Sequence, residues 1–211
     1  MDIGSIFSDA FDYTRRMFAD LGRLVILIVL DIIPIVNFIV VGYAAKVVRE
    51  APSSKEPPAL KGYGEMWIQG LKIVVASIIW MIVPIILIAI SFSFGAIGFG
   101  IGFPVMIGAW IVLSVIAIVV AFVIAIIMSM AIVHMIRHDR FSKAFAVEEI
   151  LDIIGRIGWG NYILWLIVIF VIALVIAVIG SIPLVGWLIS LIIGPLFAVF
   201  TARSASLIYL E

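Results

Sequence analysis

The run LVILIVLDIIPIVNFIVVGYAAKVV, residues 24–48, decides how the chain is threaded. It is apolar except for Asp31, Asn37 and Lys46, and Pro34 interrupts it. The arms on either side, 24–33 and 35–48, hold 10 and 14 residues. At about 1.5 Å per helical residue they reach about 15–21 Å, less than the roughly 30 Å hydrocarbon core of a bilayer. Two readings compete. One is a short hairpin that enters and leaves by the same face. The other is a single span of about 25 residues, kinked at Pro34.

The sequence around this run places the chain in a membrane. Of 211 residues, 66% are hydrophobic and 12% charged, with a mean hydropathy of +1.39. A soluble domain is nearer half apolar and a quarter charged, and one of this size would leave too much apolar surface in water. Residues 73–136 and 157–202 contain no Asp, Glu, Lys or Arg, and each stretch is long enough for about two spans of ~20 residues. Spans are expected at 73–90, 103–133, 162–177 and 184–204. The links 91–104, Gly-rich and uncharged, and 180–187 read as turns. Residues 49–64, with Pro52, Pro57 and Pro58, read as a loop.

Two segments carry both charge and an apolar stripe. In residues 3–21, Ile3, Ile6, Phe7, Ala10, Phe11, Thr14, Met17, Phe18 and Leu21 recur at helical spacing, with Asp9, Asp12, Arg15, Arg16 and Asp20 on the other face. Residues 141–157 repeat the pattern. Such helices beside membrane segments lie in the interface; the alternative is a face packed on a soluble partner. A repeat is also visible. Phe7-Ser8-Asp9-Ala10-Phe11 resembles Phe141-Ser142-Lys143-Ala144-Phe145, and Ile33-Pro34-Ile35-Val36 resembles Ile182-Pro183-Leu184-Val185. The chain thus reads as one membrane domain, 1–211, with units 3–48, 63–136 and 141–210 as internal repeats.

The 13 Lys and Arg fall in four clusters, at 15–23, 46–72, 137–156 and 203, and the links 91–104 and 180–186 have none. If 24–48 is a hairpin, every cluster lies on one side, which the positive-inside rule makes cytoplasmic, with both termini. If it is one span, the N-terminus lies outside. Tyr63, Trp67, Trp159, Tyr162 and Tyr209 then belong to the cytoplasmic interface, Trp110 and Trp187 to the outer one, and Trp80 to deep packing. The first apolar run follows a mixed-charge segment with no small-residue cleavage site, so no removable signal peptide is expected.

Asp31 and Asn37 are the sharpest site candidates, because an ionisable group inside a membrane is costly unless paired, wetted or protonated. They can flank a turn and face one polar pathway. The structural alternative is that Asp31 caps a broken helix or pairs with a cation, Arg203 being one option. Pro34 and Pro183 read as hinges or turns; Pro84, Pro104 and Pro195 as kinks or turn formers. Residues 91–103 are an apolar turn more readily than a pore lining, which would need symmetric copies. His134 and His138, four apart, are a weak metal pair needing a third ligand. No cofactor is implied. The absence of Cys removes thiol chemistry, no nucleophile-elbow or zinc-peptidase motif is present, and zero net charge suggests no nucleic-acid partner. Membrane lipids are the expected partners, with a homo-oligomer open.

Ile33-Pro34-Ile35-Val36-Asn37-Phe38-Ile39, Gly42-Tyr43, Lys46-Val47-Val48-Arg49, Pro58-Ala59-Leu60, Gly64 and Gly70-Leu71-Lys72 resemble the landmarks of a family of archaeal and bacterial multi-pass membrane proteins known only as a domain of unknown function. The resemblance is good over residues 10–85 and rests on hydropathy beyond. It implies a prokaryotic, archaeal cell membrane and brings no activity or catalytic residue. Asp31 departs from its pattern.

The expected architecture is an all-α integral membrane protein with six membrane-inserted arms in three hairpins and interfacial amphipathic helices. The leading functional expectation is a non-enzymatic, lipid-organising or membrane-shaping scaffold. The alternative is a small channel or transporter with its polar pathway at the broken first hairpin; an intramembrane enzyme ranks third.

Overall fold

The computed structural model describes residues 2–51 and 53–211; Pro52, expected in the loop, lies outside the described residues. Among them there is no strand. The helices are α1 (Ile3–Arg15), α2 (Leu21–Ile32), α3 (Phe38–Glu50), α4 (Tyr63–Ile101), α5 (Pro104–His138), α6 (Val147–Ile157), α7 (Trp159–Gly180) and α8 (Gly186–Ile208). Short 3-10 turns, Arg16–Ala19 and Phe141–Phe145, follow α1 and precede α6. Four helices, α4, α5, α7 and α8, are long and apolar enough to cross a membrane. They form two pairs, and α2 and α3, with 12 and 13 residues, form a third that is too short to cross.

The 24–48 run is therefore a hairpin and not one kinked span. Its two outer ends meet the same loop. Arg23, at the start of α2, donates to the carbonyls of Pro57 and Pro58 (2.9 and 3.2 Å). Tyr43 of α3 donates to the Pro58 carbonyl at 2.9 Å, and Lys46 to that of Ala59 at 3.0 Å. At the other end, Trp67 on the second turn of α4 donates its indole N–H to the Ile35 carbonyl at 2.9 Å, which fixes the tip.

That tip has a twin. Ile35 has φ 72° and Leu184 φ 69°, each directly after the proline of an Ile-Pro pair. In both, the amide three residues beyond the proline reaches back to the isoleucine carbonyl: Asn37 to Ile33 at 3.0 Å, Gly186 to Ile182 at 2.8 Å. Proline presets φ for the first turn position, but the next residue would normally be Gly. A left-handed backbone costs a residue with a Cβ roughly 1–2 kcal/mol, and a β-branched one is a clear outlier.

The short hairpin is held against α4 by backbone contact. A Cβ on Gly42 would lie 1.8 Å from the Met66 carbonyl oxygen, and one on Gly70 would lie 1.9 Å from that of Phe38. No side chain fits in either place, so both landmark glycines mark a helix crossing. Glycine works the same way in 91–103. That segment was expected to be a turn, yet α4 continues to Ile101 and only Gly102 and Phe103 reverse the chain. Gly95 seats the Trp110 ring and Gly98 seats Ile107, each 2.9 Å from where a Cβ would stand. Ser91 bonds the Ser114 hydroxyl at 2.6 Å and the Trp110 carbonyl at 3.1 Å. In a helix the backbone of this Gly-rich stretch satisfies itself, which a turn in lipid could not do. Pro104 takes the first position of α5, where its missing N–H is harmless. Pro84 and Pro195 lie inside α4 and α8.

Trp80 packs against the buried core. It donates to the Ala144 carbonyl at 3.0 Å and stacks on Phe145 at 6.2 Å, beside the charged turn that carries Lys143.

The core lies at the charged end. Apart from Ala117, the buried residues of α5 run from Met130 to Ile136. Those of α7 are Tyr162 and Trp165 alone, near its start. In α8, Val199, Ala202 and the run from Arg203 to Ser206 are buried together with Ile208. The crossing at Gly42 gives a direct test: Gly42→Ala should lower unfolding stability in detergent by about 2–3 kcal/mol, as for an overpacked core. Gly100→Ala, where a Cβ would meet nothing within 4 Å, should not lower it. Thermal unfolding of the two variants checks this.

Candidate functional site

Asp31 ends the last turn of α2 and meets α8. A Cβ on Gly194 would come 3.2 Å from its Oδ2, so the missing side chain at 194 leaves room for the carboxylate. Asp31 is half-buried and makes no hydrogen bond or ion pair among the described residues. Asn37 precedes α3 but its side chain does not cap it. The two residues flank the tip of the short hairpin, Asp31 in the last turn of α2 and Asn37 just before α3.

Arg203 is not the partner of Asp31. It is 5% exposed and its Nε donates to Asp9 Oδ1 at 2.6 Å. One terminal nitrogen donates to the carbonyls of Ala51 and Ser54, and the guanidinium lies 4.7 Å over the Tyr13 ring. One buried cation thus ties α1, the loop after α3 and α8 together, using one nitrogen for the carboxylate and another for the two carbonyls, which the single ammonium of lysine cannot do. Ser206, fully buried, donates to the Val48 carbonyl at 3.1 Å and closes the α3–α8 contact. Asp9 and Arg203 are 194 residues apart, and neither has a local sequence signal that names the other.

A second junction joins α5, α6 and the C-terminus. His134 has both ring nitrogens engaged, Nδ1 with the Tyr209 hydroxyl at 2.8 Å and Nε2 with Glu149 Oε2 at 2.9 Å. His138 bonds back to the His134 carbonyl at 3.1 Å. With both nitrogens bonded to protein, His134 offers no lone pair to a metal, and among the described residues no group of three metal-ligating side chains assembles. Lys143 closes on both Glu149 oxygens at 2.6 Å. Lys143 first, and then His134, holds the Glu149 carboxyl below the usual range.

A third polar cluster fills the α3–α4 junction. Arg49 reaches Asp139 at 3.2 Å and Glu65 at 3.8 Å. A cavity of about 180 Å³ beside it is lined by Lys46, Glu50, Lys61 and Gln69. The three junctions hold together the ends of the helix pairs opposite their turns, and α1 and the end of α8 lie there. The hinge prolines sit elsewhere, Pro34 and Pro183 being the second residues of the twin turns. Chemically, the site offers charges engaged by protein partners, with Arg203 and His134 buried and the Nε of Arg49 left buried without a partner.

Arg203→Met should cost about 3 kcal/mol, because Asp9 and two loop carbonyls lose their partner. Asp31→Asn removes no contact and should leave stability unchanged or higher. Chemical denaturation in a mild detergent separates the two. The depressed Glu149 carboxyl stabilises the fold above the unfolded carboxylate value of about 4.3 and loses that contribution as pH falls through its lower folded value. Melting temperature should therefore fall on acidification below about pH 4, and Glu149→Gln should flatten that dependence.

No curated protein and no solved structure matches the chain. A family model does, over residues 25–185, a span that takes in most of the short hairpin, the Gly42–Gly70 crossing and the left-handed residue of both twin turns. The chain belongs to the family described as Protein of unknown function (DUF4013).

Proposed function

We propose that the protein organises lipid in one leaflet of the cell membrane and catalyses no reaction. The observation that carries this reading is the unequal cross-section. At the charged end, α1, α2, α3 and α6 pack against the long helices. Toward the turns of the long pairs that packing is gone. Ile85, Ile86, Val105, Ile118 and Phe122 are exposed on α4 and α5, as are Phe170 and Val178 on α7 and Leu184 in the turn. A body wider at one end takes more area in one leaflet and favours curvature toward that side. The positive-inside rule makes the wide end cytoplasmic, with both termini, since the turns 102–103 and 181–185 carry no Lys or Arg. The amphipathic segments 3–21 and 147–157 are then interfacial helices of that leaflet.

The twin turns support an internal duplication relating the first and last units: the same left-handed residue follows the same proline in each. A channel or transporter is the second reading, favoured by one observation, the unpaired carboxylate of Asp31 beside Gly194. It asks for water at position 31.

Vesicles reconstituted with the purified chain at high protein-to-lipid ratio should be smaller and more curved than protein-free vesicles in electron cryomicroscopy, with the wide end on the convex side. Unchanged vesicle size together with ion or solute flux that Asp31→Asn abolishes would overturn the scaffold reading in favour of the channel.

A further inference from the structure

An apolar groove of about 420 Å³ opens between α1, α7 and α8. Phe11 of α1 and Phe18 of the 3-10 turn after it form one edge, Ile172 and Ile176 of α7 the other, and α8 supplies the floor from Phe200 to Ile193. The floor descends about 10 Å along α8, away from the Arg203 junction. Among the described residues, Arg15 is the charged group that lines it. Polar groups near it in sequence are engaged. Asp9 is held by Arg203, Arg16 by Glu56 and the Lys55 carbonyl, and the Thr14 hydroxyl by Ala10. Arg15 is exposed and makes no hydrogen bond or ion pair among the described residues.

We infer that this groove holds one acyl chain of an anionic phospholipid whose phosphate is bound by Arg15. Three observations agree. The groove is apolar along its whole length and lies between helices that face lipid, so its occupant is a hydrocarbon chain. Its one charged lining group is a cation, which matches a phosphate in sign and in fork geometry. The placement is also right for a phospholipid. Tyr13 and Arg16 tie α1 to the loop at Glu56 and Lys55, which keeps Arg15 at the charged end while the groove runs away from it. Basic residues at pockets between membrane helices select anionic headgroups on this principle. The inference rests on the leaflet-organising reading and deepens it by naming the lipid class that the protein gathers.

The test uses the full chain in phosphatidylcholine vesicles, with spin-labelled phosphatidylglycerol or spin-labelled phosphatidylcholine as probe, read as the motionally restricted fraction. The wild type should retain phosphatidylglycerol about fivefold over phosphatidylcholine, the size of effect of one basic residue at a membrane surface. Arg15→Gln should bring that ratio to about one, and Arg15→Lys should keep most of it. Ile176→Trp, which fills the groove, should lower retention of both probes. Arg15 is exposed, so its variants should fold, and unchanged circular dichroism and elution volume confirm that. An unaltered ratio in Arg15→Gln, or unaltered retention in Ile176→Trp, overturns the proposal. Vesicle size read on the same samples separates the two claims. Reshaped vesicles without lipid preference overturn the groove alone, and lipid preference without reshaping overturns the leaflet-shaping role alone.

Discussion

Hydrocarbon offers no partner to a charge or to an open backbone amide, and this constraint arranges the molecule. The turns 102–103 and 181–185 are free of Lys and Arg, and the polar junctions gather where the helix pairs begin and end. Three hairpins are the simplest way to meet that demand, because each returns the chain to the end it left. The short pair α2–α3 obeys it without crossing. Its outer ends are anchored to the 57–59 carbonyls and its tip to Trp67.

Within that frame, two kinds of contact give the charged end its shape. Glycine crossings bring backbones together where side chains would hold them apart, α3 on α4 at Gly42 and Gly70. Buried polar junctions then fix the periphery, Arg203 for α1 and the loop, His134 and Glu149 for α6 and the C-terminus. Arg203 is costly to bury and is retained with all its partners supplied by protein. The junction makes α1 part of the fold, and it also leaves Arg15 on the outside of α1, free to face the groove.

The helix pairs were legible from hydropathy, because charge-free runs of span length are a strong signal. The broken first run was legible as far as two alternatives, and choosing between them needed the Arg23, Tyr43 and Trp67 contacts. Residues 91–101 misled, since Gly and Ser read as a turn in water but pack as helix in an apolar pair, with Gly95 making room for Trp110. The partner of Trp80, Ala144, was not legible, because it is 64 residues away. The same distance problem hid Arg203 and Asp9. The repeated Ile-Pro pair was visible as sequence, whereas the left-handed residue after each proline was not, because Ile and Leu are the last residues that φ statistics would put there.

The account stands on the short hairpin staying on the side it starts from. The chain has no Cys, so single cysteines at Ser53, Ile35 and Leu184 can be probed with a membrane-impermeant thiol reagent added to either side of oriented vesicles. Labelling of position 53 from one side, of position 184 from the other, and of position 35 never from the side that labels 184 is the predicted result. Labelling of 35 from the same side as 184 would mean that the first unit crosses the membrane, and would contradict the one-sided arrangement of charge.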